Sequence, residues 1–190
     1  CYAQMATGDK GNVEEALSAL LDIANSDRDN VPVLLAMATG FMMIKQTPKA
    51  RNQLKRVQKI QFKPDEAEEF ERSWLLLADI HIKAGKYDLA HELCKKCLKY
   101  NKSCGKAWEY MGQIMEREQA YKDAAENYEN AWRFESEASA TVGYKLAFNY
   151  LKAKRFVEAI DVCHKVMVAF PDYPKIKKDI LEKARSSIKP

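Results

Sequence analysis

Small residues set among helically spaced apolar positions recur along the chain at Ala16, Ala50, Ala90, Ala124 and Ala159, at intervals of 34, 40, 34 and 35 residues. Four residues beyond each stands Leu20, Leu54, Cys94, Tyr128 or Cys163, and seven beyond stands Ile23, Val57, Cys97, Ala131 or Val166. Positions i, i+4 and i+7 share one face of an α-helix, so each set predicts one amphipathic helix. A second stripe precedes each of the last four sets. It reads Leu34, Met37, Ala38, Phe41; then Trp74, Leu77, Ala78, His81; then Trp108, Met111, Gly112, Met115; then Gly143, Leu146, Ala147, Tyr150. The pattern predicts helix pairs, with first members near 31–44, 67–84, 105–118 and 140–153. Second members fall near 13–25, 48–61, 87–100, 121–134 and 156–169.

Local signals divide the chain further. Thr47-Pro48 opens a helix with proline in its first turn, and the stretches Gly85-Lys86 and Gly8 to Gly11 read as hairpin breaks. The interval of 40 leaves six extra residues at 65–70, a largely acidic stretch that lengthens a connection or extends the next helix. The expected organisation is a partial repeat over 1–30, mainly its second helix, repeats at 31–64, 71–104, 105–139 and 140–173, and the 65–70 insertion. A capping helix is expected over 174–190, with Ile176, Ile180, Leu181, Ala184 and Ile188 on one face and Lys175, Lys177, Lys178, Lys183 and Arg185 around it. A repeat stack needs a polar-backed helix over its last apolar face. A basic helix at a membrane surface or on an acidic partner is the other reading of the same pattern. The chain opens on Cys1 and reads as cut from a longer protein.

A period near 34 carrying W-x2-L-G-x2-Y, then Ala, a large residue, Ala and Pro is the tetratricopeptide repeat (TPR) pattern. Trp108, Met111, Gly112, Ala124, Tyr128 and Ala131 resemble it, as do Trp74, Leu77, Ala78 and Ala90, and Leu146, Ala147, Tyr150, Ala159 and Pro171. The resemblance implies an all-α fold, a right-handed TPR solenoid of antiparallel helix pairs with a C-terminal capping helix. In such solenoids the face of the first helix turned from its partner lines a concave groove. The expected partner-binding positions are Met42, Arg72, Leu75, Asp79, Lys83, Lys106, Glu109, Gln113, Arg117, Tyr144, Phe148, Leu151 and Lys152. Leu35, Thr39, Met43, Ile82, Glu116 and Thr141 lie on the same faces. The Lys, Asn and Arg set with which chaperone-binding TPR domains clamp a terminal carboxylate is not found at these positions. Acidic Asp79, Glu109 and Glu116 disfavour a carboxylate, while Leu75, Ile82, Tyr144, Phe148 and Leu151 suit a helix or extended segment.

Composition adds exclusions. Hydrophobic residues make up 47% and charged residues 31%, enough for an apolar core in an ordered helical protein. The net charge of +4 divides 31 basic against 27 acidic residues, too balanced to predict nucleic-acid binding. No run reaches the ~18 apolar residues of a membrane span, so no direct membrane insertion is expected. Five cysteines without a disulfide framework point to a reducing, cytoplasmic compartment.

Candidate chemistry is sparse. Cys94-Lys95-Lys96-Cys97, with His91 and Cys104 nearby, has the look of a metal or redox motif, but the repeat register places Cys94 and Cys97 where Tyr128 and Ala131 stand one repeat later. Packing as small hydrophobes is the expectation, with no metal and no cofactor. His81 stands at a tyrosine position of the pattern and is expected partly buried with a hydrogen-bond partner. Trp132 follows Ala131 and reads as freer than Trp74 and Trp108, on the surface or between repeats. No phosphate-binding glycine loop or HExxH pattern is present, so no catalysis is expected.

Over nearly its whole length the sequence further resembles the C-terminal region of the tetratricopeptide repeat protein 21 family, the large TPR subunit of intraflagellar transport complex A. The resemblance lies in the run from Trp74 through Asp79, His81 and Gly85 to Tyr87 and Asp88, in Cys94 to Leu98, in Lys106 to Gly112 and in Tyr144 to Leu151. It implies a scaffold in retrograde ciliary transport and ciliary cargo entry, contacting other complex A subunits in the cytoplasm, the cilium and the ciliary base. A stand-alone adaptor that binds a peptide or helix in its groove is the alternative.

Overall fold

The computed structural model describes Met5, residues 9–173 and residues 175–188. Its helices are α1 Lys10–Ser26, α2 Val31–Met43, α3 Thr47–Lys59, α4 Ala67–Lys83, α5 Tyr87–Tyr100, α6 Gly105–Arg117, α7 Tyr121–Phe134, α8 Ala140–Lys152, α9 Phe156–Ala169 and α10 Glu182–Ile188. A 3-10 turn at Pro64–Glu66 precedes α4, and a π turn at Lys177–Leu181 leads into α10. The chain forms two compact units, residues 1–93 and 94–190.

In the first unit α1 packs on α2, α2 on α3 and α4, and α3 on α4. In the second, α6 packs on α7, α7 on α8, α8 on α9, and α9 on the π turn and α10. Within each unit these helices thus pack on their chain neighbours, as hairpin repeats do. The periodic alanines Ala16, Ala50, Ala90, Ala124 and Ala159 are fully buried. Small size is a packing requirement at the pattern's glycines as well. A Cβ on Gly112 would lie 2.9 Å from Cγ of the Tyr128 ring, and one on Gly143 would lie 2.5 Å from Val166 and 2.7 Å from the Trp132 indole.

Helix ends follow local chemistry. Asp9 caps α1 by accepting from Asn12 N–H, Asn30 caps α2 from Val33 N–H at 3.0 Å, and Ser139 caps α8 from Val142 N–H at 3.4 Å. After α2, α4, α6 and α8 the chain turns through a left-handed residue: Lys45, Gly85, Gln119 and Lys154, at φ 60°, 70°, 61° and 61°. These follow one another at 40, 34 and 35 residues, so the repeat period is written in the backbone as well as the core. The 65–70 stretch forms the end of the 3-10 turn and an early start to α4, which has 17 residues where α2, α6 and α8 have 13. Phe70, in the added turn, is fully buried against Phe62 and Trp74.

Three local expectations are corrected. Gly11 lies inside the first turn of α1, because Asp9 caps the helix ahead of it; Gly8 is outside the described residues. Ile23 is 45% exposed, and α1 buries Val13, Ala16, Leu17, Leu20 and Ala24 instead, a stripe rotated by one residue onto α2. In the last segment Ile176, Ile180, Leu181 and Ala184 are buried, but Ile188 is half exposed at the end of α10. Positions 174, 189 and 190 of the expected cap fall outside the described residues.

Candidate partner-binding surface

In the first unit the expected positions come from α2 and α4. Met42 and Leu75 are half-buried and Arg72 and Lys83 exposed. The charged members pair along their own helix, Arg72 with Glu68 at 3.6 Å and Lys83 with Asp79 at 2.6 Å. Both are i, i+4 pairs on a wet surface, each worth a few tenths of a kcal/mol, about 0.3–0.5. Leu35 and Ile82, placed on the same faces by spacing, are buried.

The second unit brings α6 and α8 together through polar contacts. Glu109 accepts from Lys106 at 2.6 Å on its own helix and from Lys145 of α8 at 2.8 Å. Glu116 accepts from the Tyr128 hydroxyl at 3.0 Å and from Asn149 Nδ2 of α8 at 3.1 Å. Burial alone would raise the Glu109 carboxyl, but hydrogen bonds and charge from Lys106 and Lys145 outweigh it and hold the group below its ordinary value. The Tyr128 hydroxyl is pushed far up, by burial first and then by the Glu116 carboxylate that it faces.

These contacts correct the picture of an acidic groove. Glu109 is 8% exposed and is neutralised between two lysines, so it neither lines open surface nor repels a carboxylate. Lys106 and Arg117 are exposed, while Gln113 is half-buried. Lys145 and Asn149, the partners that draw α6 to α8, were not singled out by spacing. Asn149 sits fully buried within an otherwise apolar helix face, and a polar residue in that position is the one signal of a cross-helix contact that the sequence holds.

The apolar positions of α8 are partly taken by the chain itself. Tyr144, Phe148 and Leu151 are half-buried against the core formed by α7 to α10. The Tyr144 hydroxyl donates to Asp179 at 3.4 Å, and its ring lies 5.9 Å from that of Tyr173. Exposed Lys152 sets its ammonium 5.5 Å from the centre of the Phe148 ring.

The other candidates are structural. Cys94, Cys97, Cys104 and Cys163 are free and buried. Burial pushes the Cys94 thiol up to about 12, with Cys104 adding to it, and burial pushes Cys163 up to about 12. A buried thiol held protonated at neutral pH is a poor nucleophile. Among the described residues no group of three or more His, Cys, Asp or Glu could hold a metal ion. His81 is 4% exposed, and burial, then Lys55, Lys86 and Arg51, lower its pKa, so it packs neutral. Trp132 is buried rather than free, because its ring fills the space above Gly143. Among the described residues no helix is long and apolar enough to cross a membrane.

Solved structures define the class of fold. The chain superposes on the crystal structure of MamA with a TM-score of 0.73 at 18% identity, over 87% of this chain and 93% of that one. It also superposes on YrrB, described as a TPR protein with an unusual peptide-binding site, with a TM-score of 0.68 at 12% identity, over 93% and 84%. This is a TPR-type helical-repeat fold, an architecture that presents extended binding surfaces. The family follows from sequence. The model of the tetratricopeptide repeat protein 21 C-terminal ARM domain matches residues 1–185. Tetratricopeptide repeat protein 21B of Homo sapiens is 60% identical over 189 residues, covering 100% of this chain, and the Caenorhabditis elegans homologue is 40% identical over 192, covering 99%. The chain belongs to the tetratricopeptide repeat protein 21 family, and it spans 14% of the length of each of these two relatives.

Proposed function

We propose that this chain is a non-catalytic docking module of an intraflagellar transport complex A subunit. It acts in retrograde ciliary transport and cargo entry, at the ciliary base and in the cilium. Family membership over the whole chain is the observation that carries this reading. Repeat helices present rigid surfaces at low entropic cost, and this chain spends its buried cysteines, histidine and tryptophans on packing. Other complex A subunits dock on Met42, Arg72, Leu75, Asp79 and Lys83 of the first unit, and on Lys106, Gln113, Arg117, Tyr144, Phe148, Leu151 and Lys152 of the second. Glu109 supports the latter set from beneath. The test is recovery of complex A subunits from ciliated cells by the full-length protein. Leu75→Glu combined with Phe148→Glu is expected to reduce recovery at unchanged expression; undiminished recovery overturns the assignment of these faces.

A peptide-binding adaptor is the second reading, favoured by the fold shared with YrrB, whose description names a peptide-binding site. It requires binding of short peptides by the isolated protein, without other subunits.

A further inference from the structure

The irregular connection that breaks the repeat period builds a cavity. About 770 Å³ in volume, it is lined by Arg28 and Asp29 after α1, by Arg56, Lys59 and Ile60 at the end of α3, and by Gln61 to Asp65 of the connection. Volumes of ~300–1,000 Å³ are those of pockets that bury small ligands or single side chains of a partner on the same scale.

Its charge is unbalanced. Arg28, Arg56, Lys59 and Lys63 face Asp29 and Asp65. Among the described residues, Arg28, Arg56 and Lys59 make no ion pair with a carboxylate, and Lys63 reaches Glu66 at 3.5 Å. Arg56 is nonetheless fixed: Nη1 donates to Gln53 at 3.0 Å and Nη2 to the Arg28 carbonyl at 3.0 Å, both neutral acceptors. Arg56 and Lys59 lie in the last turn of α3, where the helix dipole favours cations. Arg56 is held in place by neutral groups, and its charge stays available.

Part of the lining is apolar and anchored. Phe62 projects from the connection onto Phe70, with ring centres 5.4 Å apart, and onto Trp74 at 6.0 Å. Ile60 and Pro64 flank it. The geometry points to this cavity as a docking site for an acidic, extended segment of a protein partner, with carboxylates on Arg28, Arg56 and Lys59 and an aliphatic side chain on Phe62. It is a second contact, apart from the helix faces proposed above, and recovery of complex A subunits by those faces neither supports nor weakens it. Mixed charge and apolar requirements select a peptide over a bare anion.

The test is fluorescence anisotropy of a fluorescein-labelled peptide of alternating Glu and Leu, titrated with the 190-residue chain. Saturable binding that weakens with added salt is expected. Lys59→Glu and Arg28→Glu, whose side chains make no hydrogen bond or ion pair among the described residues, should each weaken it by about tenfold or more. Lys122→Glu, with the same change of net charge elsewhere, should leave it unaltered. Equal affinity in all three variants overturns the proposal. So does capture of the chain by phosphatidylserine vesicles or inorganic phosphate with no binding of the peptide.

Discussion

Lys145 Nζ lies 2.8 Å from Glu109 Oε1, joining two helices 36 residues apart in sequence across a face that spacing alone assigned to a partner. The carboxylate is the depressed member of the pair. Its stabilising effect is therefore fully present at neutral pH and fades as pH falls below 4.5, its ordinary value. Glu109→Gln should lower unfolding free energy at pH 7 by roughly 1–3 kcal/mol. Urea titrations at pH 7 and pH 3.5 check this, since the deficit must shrink at the lower pH. A deficit that is constant with pH would mean that shape, not charge, matters at this position.

The left-handed turn residues give a prediction with two signs. A non-glycine residue there costs about 1–2 kcal/mol. Gln119→Gly and Lys154→Gly should raise stability by up to about 1 kcal/mol each, part of the gain being offset by a freer unfolded chain. Gly85→Ala should lower it by a similar amount, and that cost is purely conformational, since a Cβ at Gly85 meets nothing within 4 Å. Thermal melts of the three variants decide it; a fall for both glycine variants would sink the idea.

What the sequence made legible was whatever repeats. The five alanines, the paired stripes and the extra residues near 65–70 all rest on comparing one repeat with the next, and buried packing is where repeats are most alike. Glu109 escaped because its register position says only that it faces away from the second helix. Its burial depends on Lys145, which no local pattern links to it. Ile23 escaped because α1 settles on α2 through Leu17 and Ala24, one residue round from the template stripe. The cavity beside Phe62 was invisible for the opposite reason: it arises where the period fails.

Gly143→Ala should destabilise by about 1–3 kcal/mol through overpacking. The added methyl would meet Val166 Cγ2 at 2.5 Å and the Trp132 ring at 2.7 Å, both inside the core. Trp132 fluorescence offers a local reading, because the indole must shift to admit the methyl. Unchanged stability and emission would show that this contact yields freely.

Cys94 and Cys163, with thiols raised to about 12, should resist iodoacetamide at pH 8 in the folded protein and react once guanidinium unfolds it. Peptide mass spectrometry distinguishes them from the other cysteines. Rapid labelling of either at pH 8 without denaturant would contradict the packed, protonated state and reopen the question of reactive chemistry at the Cys94-Lys95-Lys96-Cys97 stretch.

The last segment decides between cap and membrane-surface helix. Ile176, Ile180, Leu181 and Ala184 are at most 2% exposed, so the apolar face that a bilayer would need is already spent on the chain's own core. Tyr144 ties the π turn to α8 through Asp179, which adds a polar tether to that packing. Ile180→Asp buries an unpaired carboxylate and should cost about 3 kcal/mol or more. Circular dichroism melts are expected to show a lowered midpoint, with no binding of the wild-type chain to vesicles in sedimentation assays. Vesicle binding that Ile180→Asp abolishes while the midpoint stays fixed would assign the segment to a lipid surface instead.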